Sequence, residues 1–166
     1  YYGPAIKHVI DWYIESLGDI TLENNIISIQ IALEALSYII LVEKEGLLDD
    51  EQFDQNNASK NIKLVLNACN IPHGSDELEL FDDWIRGKFD DGVDLVIYFR
   101  NKIVHPVRKD NRANLTVEDM WNIIQIGTKY IELIVLSFIG YKGEYSNRLK
   151  ERWFGEVEVV PWNKLD

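Results

Sequence analysis

Apolar residues recur at helical spacing along most of this chain. Ala5 to Leu17 reads as a short amphipathic helix closed by Gly18. Leu22 to Glu45 reads as a long helix stopped by Gly46. Its middle, Ile29 through Val42, is apolar on nearly every side, the pattern of a helix at the buried centre of a bundle. Asp49 to Asn57 is polar and without period, and is expected to be a loop. Ser59 is placed to cap a helix to about Asn70, where Ile71-Pro72-His73-Gly74 ends it. A short helix is expected around Leu78 to Arg86. Asp90 or Asp91 then caps a helix running to His105, because the residue before Pro106 avoids the α region. Thr116-Val117-Glu118-Asp119 has the form of a capping box and opens a long apolar helix, Val117 to Ile139, ended by Gly140. Glu156-Val157-Glu158-Val159 alternates and predicts a short extended segment. The pattern as a whole predicts an all-α fold, a helical bundle with a short C-terminal extended segment. It reads as a single domain over 1–166, with a leading helix in 1–20, a core bundle in 22–140 and a C-terminal extension in 141–166.

Composition narrows the choice of function. With 166 residues the chain is long enough for one full-sized core. Seventeen basic against 28 acidic residues leave a formal charge of −11, which argues against a protein that merely coats nucleic acid. Any contact with RNA must be local. The single cysteine, Cys69, can form no internal disulfide and falls in an apolar pattern, so it reads as a small core residue in a cytoplasmic protein. The greasiest stretch, Ile26 to Val42, is broken by Gln30 and Glu34, and no membrane span is expected. The chain opens Tyr-Tyr-Gly-Pro without a methionine, and so is expected to be the C-terminal part of a longer protein, with a regulatory N-terminal domain outside it.

The helix that ends at His105 carries the chemistry. On an ideal helix Leu95, Val96, Phe99 and Ile103 fall on one side and form a core stripe. Going round the helix away from that stripe, Arg100 comes first, then Val104 and Ile97, then Asn101 and finally His105. A second apolar strip, Ile97 and Val104, is thus flanked by Arg100 on one side and by Asn101 and His105 on the other. A surface helix needs only one apolar face. The second predicts another partner, either a further part of the bundle or a second copy of the chain related by a two-fold axis. Asn101 and His105, four apart, share a face; Arg100 does not. The window from Arg100 to Arg112 holds Arg100, Lys102, Arg108, Lys109 and Arg112 against Asp110 alone. It carries +4 while the rest of the chain carries −15. Such a basic island suits phosphate contact; a solvated basic loop gives the same pattern.

Tyr98-Phe99-Arg100-Asn101-Lys102-Ile103-Val104-His105-Pro106 resembles the signature of the HEPN superfamily, in which an arginine, a polar residue and a histidine stand with four to six residues between arginine and histidine. Here four intervene. The helix with Ala32-Leu33-Glu34-Ala35-Leu36-Ser37, and the terminal Gly155-Glu156-Val157-Glu158-Val159-Val160-Pro161-Trp162, are similar to the ApeA-like HEPN branch, so the resemblance covers roughly residues 25 to 162. It implies a helical bundle that dimerises with two motifs face to face, and a metal-independent endoribonuclease of anti-phage defence or toxin–antitoxin systems.

The residue types fit that chemistry. RNA carries its own nucleophile, the 2′-hydroxyl, so the enzyme must supply a base, an acid and positive charge on the phosphate. His105 is suited to be the base or acid, since an ordinary imidazole titrates near neutrality. Arg100, always charged and fork-shaped, is suited to stabilise the transition state. Asn101 would orient His105 or hold a phosphate oxygen. Lys102, Arg108, Lys109 and Arg112 would bind the RNA strand. Glu34, a carboxylate in the most apolar helix, needs a partner, and either Arg100 or a polar seam would satisfy it. No cofactor and no metal are expected. The runs Asp49-Asp50-Glu51, Asp82-Asp83 and Asp90-Asp91 lack EF-hand spacing and read as caps and loops. His8 and His73 have no ligand-like neighbours in the sequence. The alternative is a non-catalytic helical module that binds RNA, a nucleotide or a protein through the same basic cleft.

Overall fold

The computed structural model describes residues 2–18, 21–105, 115–150 and 156–163. The fold is all-α, with one two-stranded ribbon near the C-terminus. Helix α1 spans Gly3–Ser16 and α2 spans Leu22–Tyr38, capped by the Thr21 hydroxyl accepting from the Asn24 amide. The α2 axis continues as a π-helical turn, Ile39–Lys44, and Gly46 ends it with φ of +60°, a conformation that L side chains rarely adopt. Helix α3 covers Asp50–Gln55, α4 Ala58–Ala68, and a 3₁₀ segment Ser75–Leu80 leads to the single-turn α5, Asp83–Arg86. Helix α6 is Gly92–Val104 and α7 is Val117–Phe138. Strands β1, Glu144–Tyr145, and β2, Glu158–Val159, pair antiparallel with Glu144 opposite Val159.

Helix α2 is the hub and packs on α1, α4, α6 and α7. Its residues Ile26, Ile29, Ala32, Leu33 and Leu36 are all buried along one face, and buried Ser28 and Gln30 widen that face on either side. Leu22–Lys44 is long and apolar enough to cross a membrane by length and composition, but 67% of its most apolar stretch is buried inside this fold, which accounts for its apolar character. Helix α7 approaches α2 closely at Gly127, where a Cβ would collide with Ile29 Cγ2. Cys69 is buried in the core, and burial pushes its thiol up, as for an inert core residue.

Three local expectations are corrected. Asp49 to Asn57 is not a plain loop. Asp49 accepts from the Gln52 amide while the Gln52 side chain accepts from the Asp49 amide, a capping box that starts α3. Asn57, not Ser59, caps α4, while the Ser59 hydroxyl donates to Asp94 on α6. The segment around Leu78 to Arg86 is split at Phe81, because Asp82 caps a new turn through the Ile85 amide. The Asp91 cap of α6 and the Thr116–Asp119 box of α7 match the sequence reading.

Two polar clamps hold the layers together. Glu132 on α7 accepts from Tyr13 on α1 at 2.6 Å and from Arg148 at 2.7 Å, tying the leading helix and the C-terminal segment to the bundle. Within the core, Glu77 pairs with Lys129 at 2.7 Å and accepts from the Tyr130 hydroxyl; all three are buried. Burial raises the Tyr130 phenol well above its ordinary value, and the adjacent Glu77 carboxylate adds to it.

Candidate functional site at the end of helix α6

Helix α6 is fixed at its N-terminus and presents the candidate chemistry at the other end. Asp91 accepts from the Asp94 amide, and Lys63 on α4 reaches both carboxylates, Asp91 at 2.9 Å and Asp94 at 2.6 Å. Leu95, Val96 and Phe99 are buried in the core, as the helical pattern predicts, and Ile103 is half-buried; Val93, off that stripe, is buried as well. The helix closes with the His105 amide donating to the Asn101 carbonyl at 3.0 Å. His105 has left the helical region, with φ of −119° and ψ of 61°. That is the geometry expected ahead of a proline.

Asn101 and His105 are exposed and share one face. Arg100 points elsewhere, is half-buried, and donates from Nη1 to Asn101 Oδ1 at 3.1 Å. Its Nε is buried and has no hydrogen-bond partner among the described residues. Asn101 is therefore the link between the arginine and the histidine face. Glu34 does not hold the guanidinium. It accepts from Gln30, one turn earlier on the same helix, and no ion pair joins it to Arg100 among the described residues. Of the second apolar strip, Ile97 packs partly on the core, whereas Val104 remains 40% exposed. Of the expected strand-binding residues, Lys102 is on α6 and is half-buried; Arg108, Lys109 and Arg112 lie outside the described residues.

The structure adds neighbours that the sequence reading missed. Tyr98 precedes Asn101 by three residues and His105 by seven, which places all three within about 60° on the helix. Lys88, just after α5, donates to the Tyr98 hydroxyl at 2.7 Å. Its ammonium lies 4.1 Å from the Tyr98 ring centre and 4.4 Å from that of Trp84. Lys102 lies 5.1 Å from the Tyr98 ring centre on the following turn. Burial alone would raise the Tyr98 phenol, but hydrogen bonds with Lys88 and Lys102 and their charges outweigh it and hold the phenol below its usual value. The spacing of Tyr98 ahead of Asn101 and His105 was visible in the sequence; its pairing with Lys88 is a tertiary contact and was not.

The acidic runs act as caps: Asp49, Asp82 and Asp91 each accept from the backbone at a helix start. His73 sits at the far end of α6, its Nδ1 3.5 Å from Asp91 and its Nε2 3.2 Å from Asn67 Oδ1.

The family model for the YopA C-terminal domain matches residues 1–159. The chain belongs to the YopA C-terminal domain family. The SPbeta prophage-derived uncharacterized protein YopA of Bacillus subtilis (strain 168) is 32% identical to it over 168 residues, a match covering 100% of this chain and 37% of the relative. The chain thus spans little more than a third of that curated relative. No solved structure matches. The YopA C-terminal domain match takes in α1 through β2, so the α6 terminus and its surroundings lie wholly within it.

Proposed function

We propose that this domain is a metal-independent endoribonuclease of HEPN type that acts in the cytoplasm, in anti-phage defence or a toxin-type system. The observation that carries the proposal is the end of α6, where Asn101 and His105 stand exposed on one face with Arg100 bonded to Asn101. The resemblance of Arg100 to His105 to the HEPN signature supports it, as does the all-α bundle around it. The prophage origin of the Bacillus relative fits a role in conflicts with phage.

In this mechanism His105 takes the proton of the 2′-hydroxyl or delivers one to the departing 5′-oxygen. The 2′-oxygen attacks the neighbouring phosphorus, the bond to the 5′-oxygen breaks, and the products are a 2′,3′-cyclic phosphate and a 5′-hydroxyl. Arg100 carries a fork of several N–H donors, one of which goes to Asn101, and binds the negative phosphorane that forms. Lys102, with Arg108, Lys109 and Arg112, holds the flanking phosphates. DNA lacks the 2′-hydroxyl and is not cleaved.

A second reading rests on Arg100. Its half-burial and its bond to Asn101 also suit a residue that stiffens the helix end in a non-catalytic binding module. Incubation of labelled RNA with the protein and with His105→Ala, in excess EDTA, separates the two. The ribonuclease cleaves only with His105 intact and leaves cyclic phosphate ends. Equal cleavage by clean His105→Ala protein would remove the proposal, and RNA binding with no cleavage by either would favour the binding module.

A further inference from the structure

The cluster beside the motif face is unusual for where its cation sits. Lys88 is paired with no carboxylate among the described residues; its partners are the Tyr98 hydroxyl and the rings of Trp84, Phe89 and Tyr98. On a chain of net charge −11, an ammonium left without a carboxylate and braced by aromatics is a specific arrangement. Asp83, the acidic neighbour of Trp84, is taken up by Arg86. Trp84 keeps 57% of its surface in solvent even with Lys88 over its ring, so its indole is not a core residue. Lys102 joins the cluster through the Tyr98 ring. Tyr98 and His105 are separated by two helical turns, about 10 Å along α6, and face the same way.

Exposed aromatic surface next to fixed positive charge is the composition of sites for single-stranded nucleic acid, where bases stack on rings and cations follow the backbone. A duplex hides its base faces and cannot use an indole in this way. We propose that Trp84, Lys88, Tyr98 and Lys102 form a seat for single-stranded RNA, in which a base stacks on Trp84 and the adjoining phosphates lie against Lys88 and Lys102, leading the strand to Asn101 and His105. The seat rests on the ribonuclease reading for its orientation toward His105. Binding at Trp84 itself is a separate property.

The test uses His105→Ala protein in EDTA, so that no RNA is consumed. Fluorescence anisotropy is read with a short labelled RNA of mixed sequence, single-stranded or annealed to its complement. The single strand is expected to bind more tightly than the duplex. Adding Trp84→Ala, or Lys88→Gln, weakens single-strand binding on the order of tenfold, and Trp84→Phe, which keeps a ring, recovers most of it. Circular dichroism melting shows whether each variant still folds. Single-strand affinity unchanged by Trp84→Ala, preference for the duplex, or no binding of either form overturns the seat. Trp84-dependent binding without cleavage by the His105 protein keeps the seat and removes the ribonuclease reading. His105-dependent cleavage with Trp84→Ala binding unchanged does the reverse.

Discussion

One residue that is costly to remove lies in the core rather than at the candidate site. Glu77 is 6% exposed, and its carboxylate is the ion-pair partner of buried Lys129 and the acceptor of the Tyr130 hydroxyl. Its Oε2 also lies 2.8 Å from where a Cβ on Gly92 would be, so the carboxylate crowds the start of α6. Removing one partner of a buried pair strands the other charge, at a cost of about 3–5 kcal/mol. Glu77→Ala is therefore expected to lose about that much stability in urea unfolding. Glu77→Ala together with Lys129→Met, which removes both charges, is expected to recover a substantial part of it. A double variant no more stable than the single would show that the ammonium is not what the carboxylate compensates. Nothing in the sequence marks this trio in advance. Glu77 falls in a polar run and Lys129 in an apolar helix, more than fifty residues away. Charges on isolated helices look solvated until tertiary packing brings them together.

The elements divide by how local their causes are. The α6 and α7 starts were legible because Asp91 and Thr116 cap through residues three positions on, within one turn. The same logic would have found α3 from Asp49 and Gln52, but with Phe53 the one apolar residue between Asp50 and Gln55 no helical period drew attention to it. The exposed Asn101–His105 face and the turn out of the helix at His105 were legible from spacing and from Pro106. The expected Glu34–Arg100 pair was not to be decided from one sequence, since it depended on which of two polar neighbours stood closer. The ribbon is the clearest non-local case. Its second strand was visible as alternation, whereas β1 is two residues whose strand character exists only through pairing. That ribbon makes an acid-sensitive joint. Burial alone would raise the Glu158 carboxyl, but Lys150, Asn147 and Tyr145 bond it and bring it down to about 2. A carboxyl lower in the folded than in the unfolded chain stabilises above its ordinary value, near 4.5, and that contribution disappears as pH falls toward 2. Glu158→Gln is expected to flatten the fall of melting temperature between about pH 4.5 and pH 2. Carboxyl carbon shifts in the wild type should show Glu158 titrating near the lower end of that window, and a midpoint close to 4.5 would contradict the bonded geometry.

At the scale of the whole molecule, the arrangement of histidines argues for a second copy. Cleavage through the 2′-hydroxyl needs both a base and an acid, and the chain has three histidines. His73 is held beside Asp91 at the opposite end of α6, about 20 Å along the helix from His105. His8 is on α1, a helix that packs on α2 and α7. His105 is thus the one of the three that stands at the C-terminal cap of α6. A two-fold pairing through the strip of Ile97 and Val104 would bring a second His105 and a second Arg100 to the same cleft, and Val104, 40% exposed beside Arg100, lies on the surface such a pairing would cover. A charge there tests the idea without disturbing the core. Val104→Glu is expected to melt within about a degree of the wild type, since surface substitutions change stability by little. In sedimentation it should shift the protein from dimer to monomer at micromolar concentration, and RNA cleavage should fall with the dimer fraction rather than independently of it. A Val104→Glu monomer that cleaves as fast as the wild type would mean that one α6 terminus suffices. The second proton-transfer group would then have to be sought within the chain, beginning with Lys102 on the same face.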